Sequence, residues 1–176
     1  MKKATTLNSH AFSHKGKLTV ITPVYNSERD LKKKIESVIN QGIGFENIQY
    51  ILIDDASTDS SRESLLQYAN QYEDIIVVYL AENTEIPAVP RNLGIELSTS
   101  EYITFLDSDH HLGVDRLETL YNILEETPDD YVVGKTIKPD SDGSSIVGEH
   151  QPYKERRSVS LFSIPHIPHH LGHGLL

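Results

Sequence analysis

The sequence predicts an α/β protein with a mostly parallel, Rossmann-like sheet flanked by helices, and three observations predict it. Short apolar runs rich in β-branched residues, Leu18 to Val24, Ile48 to Ile53 and Ile75 to Leu80, have the length and bounds of buried strands. Between them lie stretches whose apolar residues recur at helical spacing, and such alternation folds into doubly wound sheets with right-handed crossovers. Polar residues also gather where the runs stop: Thr22 to Asn26, Asp54 with Asp55, and Asp107 to Asp109. In open parallel sheets those strand ends border the ligand crevice, so three exits point at one place.

The elements follow in order. Residues 1–17, with Lys2, Lys3, His10, His14, Lys15 and Lys17, lack the apolar core of a secretory signal and are expected to form a loose arm. Leu18 to Val24 is the first strand and Pro23-Val24-Tyr25-Asn26-Ser27 its exit. Ser27 with Asp30 resembles a capping box, with Asp in place of Glu. Leu31, Ile35, Val38 and Ile39 then share one face of a helix that runs to about Asn40 and stops at Gly42. Lys32, Lys33 and Lys34 point in different directions around that helix and are expected on its solvated face. Ile48 to Ile53 is the second strand, with Asp54-Asp55-Ala56-Ser57-Thr58-Asp59 as its polar exit. Ser60 with Glu63 offers a cap to a helix that turns Leu65, Leu66, Ala69 and Tyr72 inward.

After the third strand, Ala81 to Val89 is read as a loop leading into a short helix at about Arg91 to Leu97. Pro90 suits its first turn, where a missing N–H costs nothing. The next strand is the run from Tyr102 that ends in Asp107-Ser108-Asp109-His110. Leu117, Leu120, Tyr121 and Leu124 mark an amphipathic helix, and Tyr131 to Ile137 a further strand. The domain is placed at residues 18–150, followed by a Pro- and His-rich tail at 151–176. His166, His169, His170 and His173 in that tail are possible zinc ligands, but proline interruption favours a mobile segment.

Composition narrows the function. At 176 residues, with 38% hydrophobic and 24% charged content, the chain suffices for one globular domain. No apolar run approaches the roughly 20 residues a membrane span needs. A net charge of -10 argues against nucleic acid as a partner, because phosphate backbones are held by clustered Lys and Arg. Without cysteine there is no thiol nucleophile, disulfide or thiolate metal site, which suits the cytoplasm. The first strand-to-helix turn has no glycine, and no Gly-Lys-Ser/Thr loop follows any strand, so hydride-transfer enzymes and P-loop hydrolases are disfavoured.

What the exits offer is an aromatic face, Tyr25, beside carboxylates that accept hydrogen bonds from a base or ribose. Asp107 and Asp109 repel each other unless a cation or donors compensate. Their hard oxygens suit Mn²⁺ or Mg²⁺, although Asp-Ser-Asp is equally ordinary turn chemistry.

At this point a resemblance enters. Thr19-Val20-Ile21-Thr22-Pro23-Val24-Tyr25-Asn26, Asp54-Asp55-Ala56-Ser57-Thr58-Asp59, Arg91-Asn92-Leu93-Gly94, and Glu101 to Asp109 look like the successive signatures of family 2 glycosyltransferases. These are inverting, metal-dependent enzymes of the GT-A fold that use nucleotide sugars. The resemblance covers about residues 17 to 137, and Pro87-Ala88-Val89-Pro90-Arg91-Asn92 is similar to bacterial enzymes that glycosylate wall teichoic acids.

The resemblance implies a donor site in which Thr22, Pro23 and Tyr25 line the base pocket, with Tyr25 against the uracil face. Asp55 would accept the base N–H, Asp54 would support the loop, and Arg91 would approach the diphosphate. Asp107 would sit near ribose and metal, and Asp109 would bind Mn²⁺ or Mg²⁺ directly. His110 departs from the commoner Asp at its position; it is a ligand to metal or phosphate, or with His111 an exposed loop residue. The resemblance further implies a UDP-linked donor, a glycan, polyol-phosphate polymer or lipid-linked acceptor, and a site at the inner face of the cell membrane.

An inverting transfer needs a general base, and in the family that carboxylate lies beyond the acceptor strands. No acid follows Glu155, and Asp140, Asp142 and Glu149 match no base motif, so the base is expected beyond the chain end. The rival readings are a sugar-nucleotide-binding module without that base, a nucleotidyltransferase, which the missing Gly-rich phosphate loop disfavours, and an interaction domain, which the clustered polar exits disfavour.

Overall fold

Ile48–Asp54 is buried at every residue, the pattern of a strand covered on both faces. In the computed structural model, which describes residues 4–7, 16–107, 110–134, 137–139, 145–147 and 174–175, this strand lies inside the sheet. The strands are β1 (Ala4–Leu7), β2 (Leu18–Val24), β3 (Ile48–Asp54), β4 (Ile75–Leu80), β5 (Tyr102–Phe105), β6 (Val132–Val133), β7 (Ile137–Pro139), β8 (Ser145–Val147) and β9 (Gly174–Leu175). One sheet has the order β1-β4-β3-β2-β5-β9-β6, and β7 pairs separately with β8. β4, β3, β2 and β5 are mutually parallel. β1 is antiparallel to β4, and β9 is antiparallel to β5 and β6.

Strand order reverses around β2: the chain moves outward through β3 and β4, then returns to place β5 on the other side of β2. In such sheets the ligand crevice is expected at the reversal, here at the exits of β2 and β5 with that of β3 beside them.

The two-residue period of the strands divides the core. Leu18, Val20, Val24, Tyr50, Leu52 and Val77 face helices α1 (Leu31–Ile39), α2 (Ser61–Gln71) and α4 (Arg116–Glu126). Ile21, Ile51, Ile53, Ile76 and Val78 form the opposite face, packed against Leu93 and Leu97 of α3 (Ala88–Leu97) and against Ile103 and Phe105. Each fully buried aliphatic side chain is worth about 1.5–3 kcal/mol relative to exposure, so both faces bind their helices firmly. The glycine of Arg91-Asn92-Leu93-Gly94 has a packing reason, because a Cβ at Gly94 would drive into Ile21 Cγ2. Its absence lets α3 lie close on β2.

β2 and β4 begin and end where the sequence predicts, and β3 runs one residue further, to Asp54. Other features differ. Ala4–Leu7, expected as part of a loose arm, extends the sheet beyond β4, and Gly174–Leu175, expected in the tail, pairs with β5 and β6. The stretch Tyr131 to Ile137 contributes two short strands, Val132–Val133 and the start of Ile137–Pro139, rather than one. α3 begins at Ala88, so Pro90 is its third residue, still within the first turn.

Neither expected side-chain cap forms. Ser27 donates its hydroxyl to the Tyr25 carbonyl at 3.1 Å, and Ser60 donates its own to Glu28 Oε2 at 2.8 Å. Leu66 is 45% exposed because its neighbour Leu65 takes the inward position on α2. Lys34, expected in solvent, is only 1% exposed: it falls on the same helical stripe as Leu31, Ile35 and Val38.

Candidate functional site

The exits of β2 and β3 are laced together by side chains that accept or donate where regular pairing stops. Asn26 adopts a left-handed φ of 46, which Asn tolerates better than most residues. Its N–H donates to Ser57 Oγ at 3.0 Å, and its Oδ1 accepts from Thr58 N at 2.8 Å. Ser27 N donates to Ser61 Oγ at 2.9 Å, and Glu28 N to Asp59 Oδ2 at 3.0 Å. These bonds fix one loop against the other and present Tyr25, 50% exposed, at the rim. Pro23 is half-buried on the α3 side of β2.

Thr22 does not join them. It is fully buried, with its hydroxyl 3.3 Å from Tyr50 Oη, because strand alternation turns it to the face that α1, α2 and α4 cover. Burial raises the Tyr50 pKa well above its usual value. The expectation that Thr22 lines the base pocket is therefore corrected to support from beneath.

The same alternation separates Asp54 from Asp55. Asp54 is fully buried; its carboxylate accepts from Ser57 N at 3.3 Å and pairs with Arg62 Nε at 3.0 Å. Burial nevertheless lifts its pKa above the usual 3.8. Asp54 thus ties the loop after β3 to α2. Asp55, 6% exposed, keeps its N–H on the Val24 carbonyl at 2.8 Å, extending the ladder past β3. Its Oδ1 accepts from Thr84 N at 2.9 Å and its Oδ2 from Thr84 Oγ1 at 2.8 Å. Asn83 Nδ2 donates to the Asp55 carbonyl at 3.1 Å. The segment between β4 and α3 thus folds over Asp55.

The third corner is an ion pair between Arg91 Nη2, from the first turns of α3, and Asp107 Oδ1 at the β5 exit. The Arg91 guanidinium also lies 5.7 Å from the Phe105 ring centroid. Arg91, expected at the diphosphate, meets Asp107 first; the pair is partly exposed and stands at the crevice mouth. His110 N donates to the Asp107 carbonyl at 3.2 Å, closing the turn. Asp109, the expected direct metal ligand, lies outside the described residues. His111 is exposed, and partial desolvation beside Lys33 and His110 holds its pKa below the usual 6.5.

The loop that follows is held from α1. Gln41 Nε2 donates to the Gly113 carbonyl at 2.7 Å, and its Oε1 accepts from Leu117 N at 2.9 Å. Ser37 Oγ accepts from Leu112 N at 3.1 Å. Gln41 therefore caps α4 across 76 positions of chain. Gln41, Asn83 and Thr84 escaped the sequence reading, since no local pattern marks long-range partners. Only the Pro-rich stretch after β4 signalled that the chain is shaped there.

Residues 19–174 match the family profile described as Glycosyl transferase family 2. The chain belongs to that family. Within it, the chain is 39% identical over 119 residues to a poly(ribitol-phosphate) beta-glucosyltransferase of Bacillus spizizenii, covering 68% of this chain and 19% of that protein. It is 37% identical over 120 residues to the poly(ribitol-phosphate) beta-N-acetylglucosaminyltransferase TarP of Staphylococcus aureus, covering 68% and 36%.

Among solved structures, S. aureus TarS 1-349 in complex with UDP-GlcNAc superposes with a TM-score of 0.63 at 27% identity, over 66% of this chain and 33% of that one. The fold is the GT-A arrangement, and this family 2 chain spans between about a fifth and two fifths of the curated relatives it matches. A mannosyltransferase of Pyrobaculum calidifontis solved with GDP-Man and Mn2+ shares the fold, with a TM-score of 0.57 at 23% identity.

A divalent cation is implied by the family, and the chemistry at the β5 exit fits one. Asp107 supplies hard oxygen at the crevice mouth, and Asp109 is two positions on. Among the described residues no group of three metal-ligating side chains is assembled.

Proposed function

We propose that this chain forms the donor-binding part of an inverting glycosyltransferase that moves a hexose or N-acetylhexosamine from a UDP-sugar to a polyol-phosphate polymer of the cell wall. The observation that carries it is that β3, β2 and β5 are neighbouring parallel strands whose exits, carrying Asp55, Tyr25 and the Asp107 that pairs with Arg91, fall on one edge of the sheet at the strand-order reversal. Tyr25 offers a face to the uracil and Asp55 an acceptor to its N3–H. Asp107 and Asp109 would hold Mn²⁺ or Mg²⁺, and Arg91, already paired with Asp107, would keep positive charge beside the diphosphate. The bound cation supplies charge neutralisation for the departing nucleoside diphosphate.

The names of the relatives, a glucosyltransferase and an N-acetylglucosaminyltransferase of poly(ribitol phosphate), support this acceptor class. A peripheral place at the inner membrane face goes with such an acceptor; no described helix is long and apolar enough to cross a membrane.

One observation favours a second reading, a module that binds donor without transferring sugar. Asp54, Asp55 and Asp107 are all engaged, by Arg62, Thr84 and Arg91, so none of these three stands ready as a general base. The test is incubation with radiolabelled UDP-GlcNAc or UDP-glucose, Mn²⁺ and poly(ribitol phosphate). Label incorporated into polymer above a protein-free control supports transfer. Donor binding without incorporation supports the second reading, and neither binding nor incorporation contradicts both.

A further inference from the structure

We infer that Thr84 sharpens the base preference of the donor site, by fixing the orientation in which the Asp55 carboxylate offers its acceptors to the base. The inference rests on the donor-site reading above and goes beyond it to a residue outside the four sequence motifs. A carboxylate rotates easily about its last torsion, which is broad and two-fold. Here that rotation is pinned at both ends by one residue: Thr84 N on Oδ1 at 2.9 Å and Thr84 Oγ1 on Oδ2 at 2.8 Å.

The hydroxyl has one proton and a second acceptor in reach, the Ile86 carbonyl at 3.1 Å. The shorter bond to a charged acceptor is the stronger. The backbone of the segment is shaped to make these bonds. Asn83 Nδ2 holds the Asp55 carbonyl at 3.1 Å, Asn83 Oδ1 accepts from Glu85 N, and Glu85 takes a left-handed φ of 64 that a glutamate adopts only at a cost.

The consequence is chemical selection. Each Asp55 oxygen, already carrying one donor from Thr84, keeps lone-pair capacity for another donor and has nothing to donate. A uracil ring presents N3–H and pairs with it. A cytosine ring presents an unprotonated N3 there, and acceptor faces acceptor. Specificity of this kind comes from groups left unpaired by the wrong ligand. Without the Thr84 hydroxyl only Thr84 N still holds the carboxylate, which can turn about that one bond, leaving uracil less well matched and letting the freed oxygen reach the cytosine amino group. Discrimination then falls even though both ligands still fit.

The experiment is calorimetric titration of UDP and of CDP, each with Mn²⁺, into the full chain and its T84V and T84S variants. T84V keeps the shape and removes the donor, and T84S keeps the donor. A hydrogen bond to a charged group predicts that T84V weakens UDP about tenfold while CDP changes by about twofold or less, so the UDP/CDP ratio falls; T84S keeps the ratio of the parent chain. Should the valine variant not fold, T84A removes the same hydroxyl and is read the same way.

A loss equal for both nucleotides, or no loss, overturns the inference and reduces Thr84 to a loop support. A parent chain that binds neither nucleotide overturns the donor-site reading and the inference with it. UDP binding by the parent with an unchanged ratio in T84V overturns the inference alone.

Discussion

Asp54 and Asp55 are adjacent in sequence and opposite in duty, because one residue of strand advance turns a side chain to the other face. Asp54 is fully buried beside Arg62, and Asp55, 6% exposed, bonds through both oxygens to Thr84. The buried acid has a pH signature. Burial raises its pKa, so the folded chain holds that proton to higher pH than the unfolded chain does. This group therefore subtracts stability as pH climbs from the usual 3.8 through the raised value. Thermal unfolding of the parent and Asp54→Asn across pH 4 to 7 is expected to show the parent losing stability relative to the variant as pH rises. A difference independent of pH would contradict the assignment. The paired Asp residues were legible because they end an apolar run. Thr84 was not, since its partner lies 29 positions away and no period links them.

At the scale of elements, apolar period and β-branched runs located β2, β3 and β4 because nothing local competes with burial there. Ser60 stands at the N-cap of α2 as its pattern predicts, but its hydroxyl and that of Ser27 bond outside their helices, and α3 begins before the residue that sequence favoured. α4 shows the converse, with no side-chain cap of its own at Asp115 and an acceptor supplied by Gln41, just past the end of α1. Gln41 is 4% exposed and also holds Gly113, within the loop that follows Asp107. Removing it leaves buried backbone groups unsatisfied, at a cost of about 1–3 kcal/mol. Gln41→Ala is expected to lower the urea midpoint by a matching amount, and an unchanged midpoint would show that water replaces the side chain without loss.

At the scale of the whole molecule, the parallel sheet with its helices on both faces was foreseeable from the alternation of runs and helices. The sheet's outer members were not foreseeable. Ala4–Leu7 at one edge is four residues long, and at the other side Gly174–Leu175 and the edge strand Val132–Val133 are two each, too short to carry a period. The acidic balance of the chain, net -10, is compensated locally where it matters, by Arg62 at Asp54 and Arg91 at Asp107.

The central claim is that the exits of β2, β3 and β5 form one uridine diphosphate site, and the most direct measurement is calorimetric titration of UDP with Mn²⁺ and then with EDTA. The parent chain is compared with Asp55→Ala and Asp107→Ala. The account predicts binding that EDTA suppresses and that each variant weakens, although the two residues sit on different strands. No UDP binding in either condition, or binding that neither substitution changes, would contradict it.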